Sequence, residues 1–248
     1  MEPVSVAFLL FPNLTQLDLT GPAQVLSRLG KQTLHFVWRD LQPVPTDTGF
    51  AILPTATFED VTKADIICIP GGVGVTDVME DDEALAWVRR VGGTATWVTS
   101  VCTGSLILGA AGLLRGYRAA THWAWRDFLP LFGAEAVSER VVFDRNRVTG
   151  GGVTAGIDFA LALTAAIRGE AHAKAVQLSL EYDPAPPFSA GSPEGAGEAL
   201  VASLRTRMDQ LAPDRADRLR AAAARLSSTD AAEMPTEAFS AMRRPCEG

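Results

Sequence analysis

Short apolar runs alternate with longer stretches of helical period along this chain, a pattern that predicts βαβ units wound about a parallel sheet. Residues 4–11 form an apolar run suited to a strand buried on both faces. Pro12-Asn13 breaks that run before a helix predicted over about residues 15–29. Residues 33–38 and 66–69 predict two further strands, the second ending at Pro70-Gly71-Gly72. A fourth, over 94–99, runs into Ser100-Val101-Cys102-Thr103-Gly104. A helix over 81–91 has an acidic first turn and closes on Arg89-Arg90, which complements the helix dipole. Residues 105–114 and 122–131 predict shorter helices, and 141–143 with 147–148 a hairpin across Asp144-Arg145-Asn146. A helix over 154–167 then packs back onto the sheet, which makes the whole an α/β sandwich.

From Pro184 the composition turns to Pro, Gly, Ser and Ala, and the last 68 residues hold 8 arginines, no lysine and 11 acids. A boundary near Tyr182 separates a domain over 1–182 from a C-terminal extension over 183–248. Within the extension Leu200, Leu204, Met208 and Leu211 recur at helical spacing, and residues 215–226 repeat the pattern on a weaker apolar face. Such a segment suits docking on its own core or on a second subunit. The chain has no internal repeats.

With 248 residues, 47% apolar and 21% charged, and a mean hydropathy of +0.12, the chain can build one large core, which rules out disorder over most of its length. The net charge of −7 and pI near 5.0 disfavour a phosphate-neutralising surface, so no nucleic-acid partner is expected. Three cysteines, Cys68, Cys102 and Cys246, cannot close a disulfide framework, and the start of the chain lacks a basic signal region. Both features lead us to expect a reducing cytoplasm. The most apolar stretches, such as 6–11 and 157–167, are far shorter than the roughly 20 residues a bilayer span needs, so no membrane association is expected.

The strongest chemical signal is Cys102, set at a tight strand-to-helix turn and followed by Thr103-Gly104, the arrangement of a nucleophile elbow. Such a turn lifts the thiol into the crevice at the carboxyl ends of the strands, and the helix N-terminus behind it favours the thiolate. The alternative is a small buried hydrophobe. Cys68, inside its apolar strand, reads as structural, and Cys246, in a charged terminus, as incidental.

Asp18 stands among leucines in Leu17-Asp18-Leu19-Thr20-Gly21-Pro22. It reads either as a first-turn residue stabilised by the helix dipole or as a carboxyl group whose pKa is raised by apolar surroundings, fit to donate a proton. Its turn follows the first strand as the elbow follows the fourth, so both can open onto one crevice. The amide of Gly72 is a candidate oxyanion donor, or the glycine pair is merely a turn. His122 is a candidate base for Cys102 or a helix cap, while His35 falls in a strand and His172 in a late helix. No histidine or cysteine pair has metal-ligand spacing, and Gly71-Gly72-Val73-Gly74 lacks the lysine of a P-loop.

Over about residues 4–182, with Asp18, Pro70-Gly71-Gly72 and the Cys102 elbow in order, the chain resembles the DJ-1/PfpI superfamily. Within it the chain looks most like the isonitrile hydratase branch, on Phe11-Pro12, Leu17-Asp18-Leu19-Thr20-Gly21-Pro22, Ser100-Val101-Cys102-Thr103-Gly104, Thr121-His122-Trp123 and Gly152-Val153-Thr154-Ala155-Gly156-Ile157-Asp158. Many superfamily members use glutamate as the carboxyl partner, and Asp18 departs from them in agreement with the hydratase type. The resemblance implies a flavodoxin-like three-layer sandwich with a mostly parallel central sheet and helices on both faces. It also implies a homodimer and an isonitrile substrate hydrated to an N-substituted formamide without metal or organic cofactor.

In that chemistry Cys102 adds to the isonitrile carbon, Asp18 serves as general acid and base, and Thr103 and Gly72 hydrogen-bond the adduct. Glyoxalase-like, deglycase-like and redox-sensing members are alternatives. AraC-type regulators share the motifs but append about a hundred residues of helix-turn-helix. Here 66 residues follow Tyr182, and they lack a basic recognition helix. No second acid stands near His122, which weakens a Cys-His-acid reading.

Overall fold

The structure, a computed structural model, describes residues 2–233. The last residues of the predicted extension, Cys246 among them, lie outside the described residues. β1 (Val4–Leu9), α1 (Gln16–Leu26) and β2 (Gln32–Trp38) open the chain. A small ladder of β3 (Val44–Pro45) and β4 (Ala51–Ile52) follows, then β5 (Ala56–Thr57), β6 (Ile66–Ile69), α2 (Val75–Glu80) and α3 (Asp82–Gly92). β7 (Trp97–Val101) leads into α4 (Gly104–Ala110). β8 (Arg118–Ala119) and β9 (Glu135–Ala136) flank a 3-10 helix, Trp123–Phe132, and precede the hairpin of β10 (Val141–Asp144) and β11 (Arg147–Gly150). α5 (Ala155–Arg168), α6 (Glu170–Ser179), α7 (Pro193–Ala196), α8 (Glu198–Leu211) and α9 (Arg215–Glu233) complete it.

The main sheet runs β10-β11-β7-β6-β1-β2-β5, parallel throughout except where β10 meets β11. Parallel strands need covering on both faces, which is why β6 and most of β1 are fully buried apolar runs. The helices form two packed groups, α1 with α5 and α6, and α2 with α3, α4 and α9. This is the expected α/β sandwich. The sequence reverses direction across the sheet at β1, which has β2 on one side and β6 on the other. That switch point is where open α/β sheets leave a crevice at the carboxyl ends of their strands.

Several boundaries differ from the sequence prediction for local reasons. The fourth strand begins at Trp97 instead of residue 94, because the amides of Thr94 and Ala95 still bond Val91 O at the end of α3. It then runs to Val101, directly into the elbow. The helix predicted over 105–114 stops at Ala110, with Gly112 turning left-handed (φ +77°) just beyond. The helix predicted over 122–131 is the 3-10 helix Trp123–Phe132, capped by His122 and closed by Gly133 in the left-handed region. The predicted hairpin forms and adds to the main sheet, since β11 pairs parallel with β7.

In the extension, the weaker stripe is the one that docks. Leu219, Ala222 and Leu226 of α9 are buried against the second helix group, and Arg218 bonds Asp77 and Glu80 of α2. The stronger stripe on α8 leaves Leu200, Leu204 and Leu211 exposed, with only Met208 packed on the core. Among the described residues no helix is long and apolar enough to cross a membrane.

Candidate active site

Three strand ends meet at the switch point: β1 leads to Asp18, β6 to Gly71-Gly72 and β7 to Cys102. Cys102 has φ +55°, a left-handed backbone that L residues avoid, so the surroundings must hold it there. Its N–H donates to Gly151 O at 2.8 Å and Gly150 O at 3.2 Å, and its carbonyl accepts from Thr121 Oγ1 at 2.9 Å and Ser105 Oγ at 3.2 Å. Gly104 is equally constrained. A Cβ there would lie 2.2 Å from Ile69 O, so the helix behind the cysteine sits directly on the end of β6. The sharp turn is therefore built by neighbouring backbone, and Cys102 is 5% exposed.

Asp18 is fully buried in the first turn of α1. Its Oδ2 accepts from the Gly71 N–H at 2.9 Å, while Oδ1 has no hydrogen-bond partner among the described residues. Burial raises the carboxyl from 3.8 to about 7, against the opposing pull of the Gly71 amide. The charge of Asp47, whose carboxylate accepts from Thr15 Oγ1 at 2.7 Å, adds to the rise. The Cys102 side chain lies beside the Asp18 carboxyl, close enough that each shifts the other's titration.

The thiol is not lowered as the elbow alone suggests. Burial, and then the Asp18 charge, push Cys102 well above its ordinary value, outweighing the amide and hydroxyl of Thr103, which favour the thiolate. Near pH 7 the thiol therefore keeps its proton, while Asp18 is divided between its neutral and ionised forms.

Thr103 and Gly72 are brought together as the sequence suggested, but they bond each other. The Gly72 N–H donates to Thr103 Oγ1 at 3.0 Å, and that hydroxyl lies 3.3 Å from Gly72 O. The glycine that touches the site directly is Gly71, where a Cβ would meet Thr103 N and Oγ1 at 2.6 Å and Asp18 Oδ2 at 2.8 Å.

His122 is half-buried, and its Nδ1 accepts from the Ala124 N–H at 3.3 Å, the capping alternative. Burial and the charge of Arg215 lower it to about 4, so it is neutral near pH 7. Cys68 is buried in β6, pushed up to about 12 by burial, as a structural cysteine should be. Thr121, Gly150 and Gly151 were not read from the sequence as site residues. The one sequence sign of them is their place beside His122 and in the run Gly150-Gly151-Gly152.

A parallel α/β sandwich with a strained cysteine elbow, a buried carboxyl group and a glycine pair at one switch point defines the class. The chain belongs to the DJ-1/PfpI family, which matches residues 4–166. It is 55% identical over 204 residues to the isonitrile hydratase of Pseudomonas putida, covering 82% of this chain and 90% of that protein. A THiJ/PfpI family protein from Pseudomonas syringae superposes with a TM-score of 0.83 at 44% identity, covering 90% and 91% of the two chains. The HTH-type transcriptional regulator GbdR of Pseudomonas aeruginosa is 30% identical over 190 residues, and the match spans only 52% of that regulator.

Proposed function

We propose that this protein is an isonitrile hydratase, converting R–NC and water to R–NH–CHO. The observation that carries the reading is the buried Asp18 carboxyl, about 7 in pKa, in contact with the Cys102 thiol, because an isonitrile carbon must receive both a nucleophile and a proton. The likeness to the Pseudomonas putida enzyme supports the same choice. In the first step the Cys102 Sγ–H bond breaks, Sγ bonds the isonitrile carbon, and the proton reaches that carbon through Asp18, giving a thioimidate, R–N=CH–S. Water then adds to the same carbon, and one of its protons passes through Asp18 to the nitrogen. The C–S bond breaks, the second proton of that water returns to the sulfur, and R–NH–CHO leaves with the Cys102 thiol restored. Thr103 and Gly72 serve this site chiefly by fixing each other and the elbow, with the Thr103 amide turned to the sulfur.

Residues 1–182 form the catalytic part in this reading and 183–248 an extension. The protein works as a cytoplasmic homodimer on a small molecule, with no resident cofactor. A peroxide-sensing role fits less well, since sensor thiols are accessible and acidic, whereas Cys102 is neither. Incubation with a simple alkyl isonitrile, following the formamide by mass spectrometry, tests the proposal. Turnover of methylglyoxal without formamide formation would overturn it in favour of a glyoxalase-like enzyme.

A further inference from the structure

Asp18 is held by a closed ring of hydrogen bonds that runs through Thr15 and Gly71. The Thr15 N–H donates to Gly71 O at 2.9 Å, the Gly71 N–H donates to Asp18 Oδ2 at 2.9 Å, and the Asp18 N–H donates to Thr15 O at 3.0 Å. The strands of the ring are pressed together, since a Cβ on Gly72 would lie 2.5 Å from Asn13 O and 2.6 Å from Thr15 N. A shift of Thr15 therefore carries the carboxyl with it.

Thr15 is in turn held from outside, by the hairpin of β3 and β4. The Asn13 N–H donates to Pro45 O at 2.8 Å and the Asp47 N–H to Leu14 O at 3.0 Å, so the hairpin lies along the segment that enters α1. Thr46 closes the turn at its tip, with its N–H and its hydroxyl both donating to Phe50 O, at 2.9 Å and 2.7 Å. From that turn Asp47 Oδ2 accepts from Thr15 Oγ1 at 2.7 Å. Thr15 is the N-cap of α1, a place where a threonine hydroxyl usually accepts from a first-turn amide. It makes no such bond here, and is turned to Asp47 instead.

Free amides in the first turn of a helix favour a carboxyl there as the anion. A proton donor needs the opposite bias. Of the titratable groups around Asp18, the thiols of Cys102 on the elbow and Cys68 on β6 are both pushed up and neutral near pH 7. On α5, packed along α1, the charge of Asp158 is matched by Arg140. Asp47 is the charge that the hairpin brings, and it adds to burial in holding Asp18 near 7.

Resting on the hydratase reading, we propose that Asp47 is a positioning residue for the reaction: through Thr15 the hairpin fixes the ring that aims the Asp18 carboxyl, and the Asp47 carboxylate sets a negative charge beside it that favours the donor's neutral form.

The test is Asp47→Asn, which keeps an oxygen for Thr15 Oγ1 but removes the charge, beside Asp47→Glu, which keeps the charge. One readout is the titration midpoint of Asp18 by 13C NMR of the labelled carboxyl, assigned with Asp18→Asn. The other is the pH at which kcat/KM for a simple alkyl isonitrile falls as Asp18 ionises. Removing a neighbouring negative charge makes ionisation easier, so both midpoints should move down together in Asp47→Asn. Solvent screens the exposed Asp47, which limits the shift to about 0.3–0.5 pH units at low salt, a loss of about two- to threefold on the alkaline side. Asp47→Glu should hold both midpoints at the wild-type pH. Thr15→Val, which cuts the clasp and keeps the shape, should lower kcat about tenfold with KM little changed, and Thr15→Ser should restore it. An unmoved Asp18 midpoint in a folded Asp47→Asn, a shift that persists undiminished in about 0.5 M salt, or a wild-type kcat in Thr15→Val overturns the proposal and leaves the hydratase reading standing. Absence of formamide from the wild type overturns the hydratase reading instead, and the NMR midpoint then still decides whether Asp47 governs the charge of Asp18.

Discussion

Replacing Asp18 by Asn separates what this residue does for the reaction from what it costs the fold. The carboxyl is fully buried and raised from 3.8 to about 7, so the folded state favours its neutral form. A raised carboxyl gives stability that is complete below about pH 4 and is lost as pH climbs through about 7, because the unfolded chain ionises first. A rise of this size corresponds to about 4 kcal/mol at pH 8. Asparagine is nearly the same shape, can still accept from the Gly71 N–H, and has no charge to desolvate. Asp18→Asn should therefore match or slightly trail the wild type at pH 4 and exceed it by up to about 4 kcal/mol at pH 8. Cys102 does not disturb this window, since its thiol is pushed above its ordinary 9.0. Urea unfolding at pH 4, 5.5 and 8 reads the difference, and turnover should fall by orders of magnitude in the same variant. A stability difference that stays flat across that range would refute a raised Asp18, and with it the proton donor on which the mechanism depends.

The parallel sheet and the meeting of Asp18, Gly71-Gly72 and Cys102 were legible because each residue follows a buried strand, and strand ends on one side of a parallel sheet converge whatever the loops do. The state of the thiol was not legible. The elbow motif carries the helix N-terminus that favours a thiolate, but the burial and the Asp18 charge that oppose it arise from tertiary packing, which no local pattern records. The glycine roles were blurred for a similar reason. Gly71 and Gly72 look alike in sequence, and only the path of α1 decides that Gly71 donates to Asp18 while Gly72 turns to Thr103. The extension misled because stripe strength was read without its partner. α9 offers little beyond Leu219, Ala222 and Leu226, yet alanine lets it lie close on its neighbours while arginines reach α2, whereas the leucines of α8 stand largely clear.

Cys102→Ala should keep the fold and abolish turnover, and normal turnover in that variant would end the covalent mechanism. Gly71→Ala forces a methyl group to within 2.6 Å of Thr103 and 2.8 Å of Asp18, so it should cost on the order of 1–3 kcal/mol in thermal unfolding and most of the activity. An unchanged midpoint would mean that the loop yields more easily than its contacts imply. Assembly gives the last prediction. Light scattering at micromolar concentration should report about twice 26.3 kDa. Two surfaces compete for the contact: the largely apolar groove of Leu17, Thr20, Gly21, Val25 and Ile157 on α1 and α5, and the leucines left exposed on α8. The α1 groove lies on the helix that carries Asp18, so a partner seated there would exclude water from the helix that holds the proton donor. Thr20→Arg should then yield monomers with reduced activity, while Leu204→Glu should leave the dimer intact. The opposite pair of results would move the seam to the extension, and a monomeric mass with full activity at every concentration would remove both the dimer and its tie to the site.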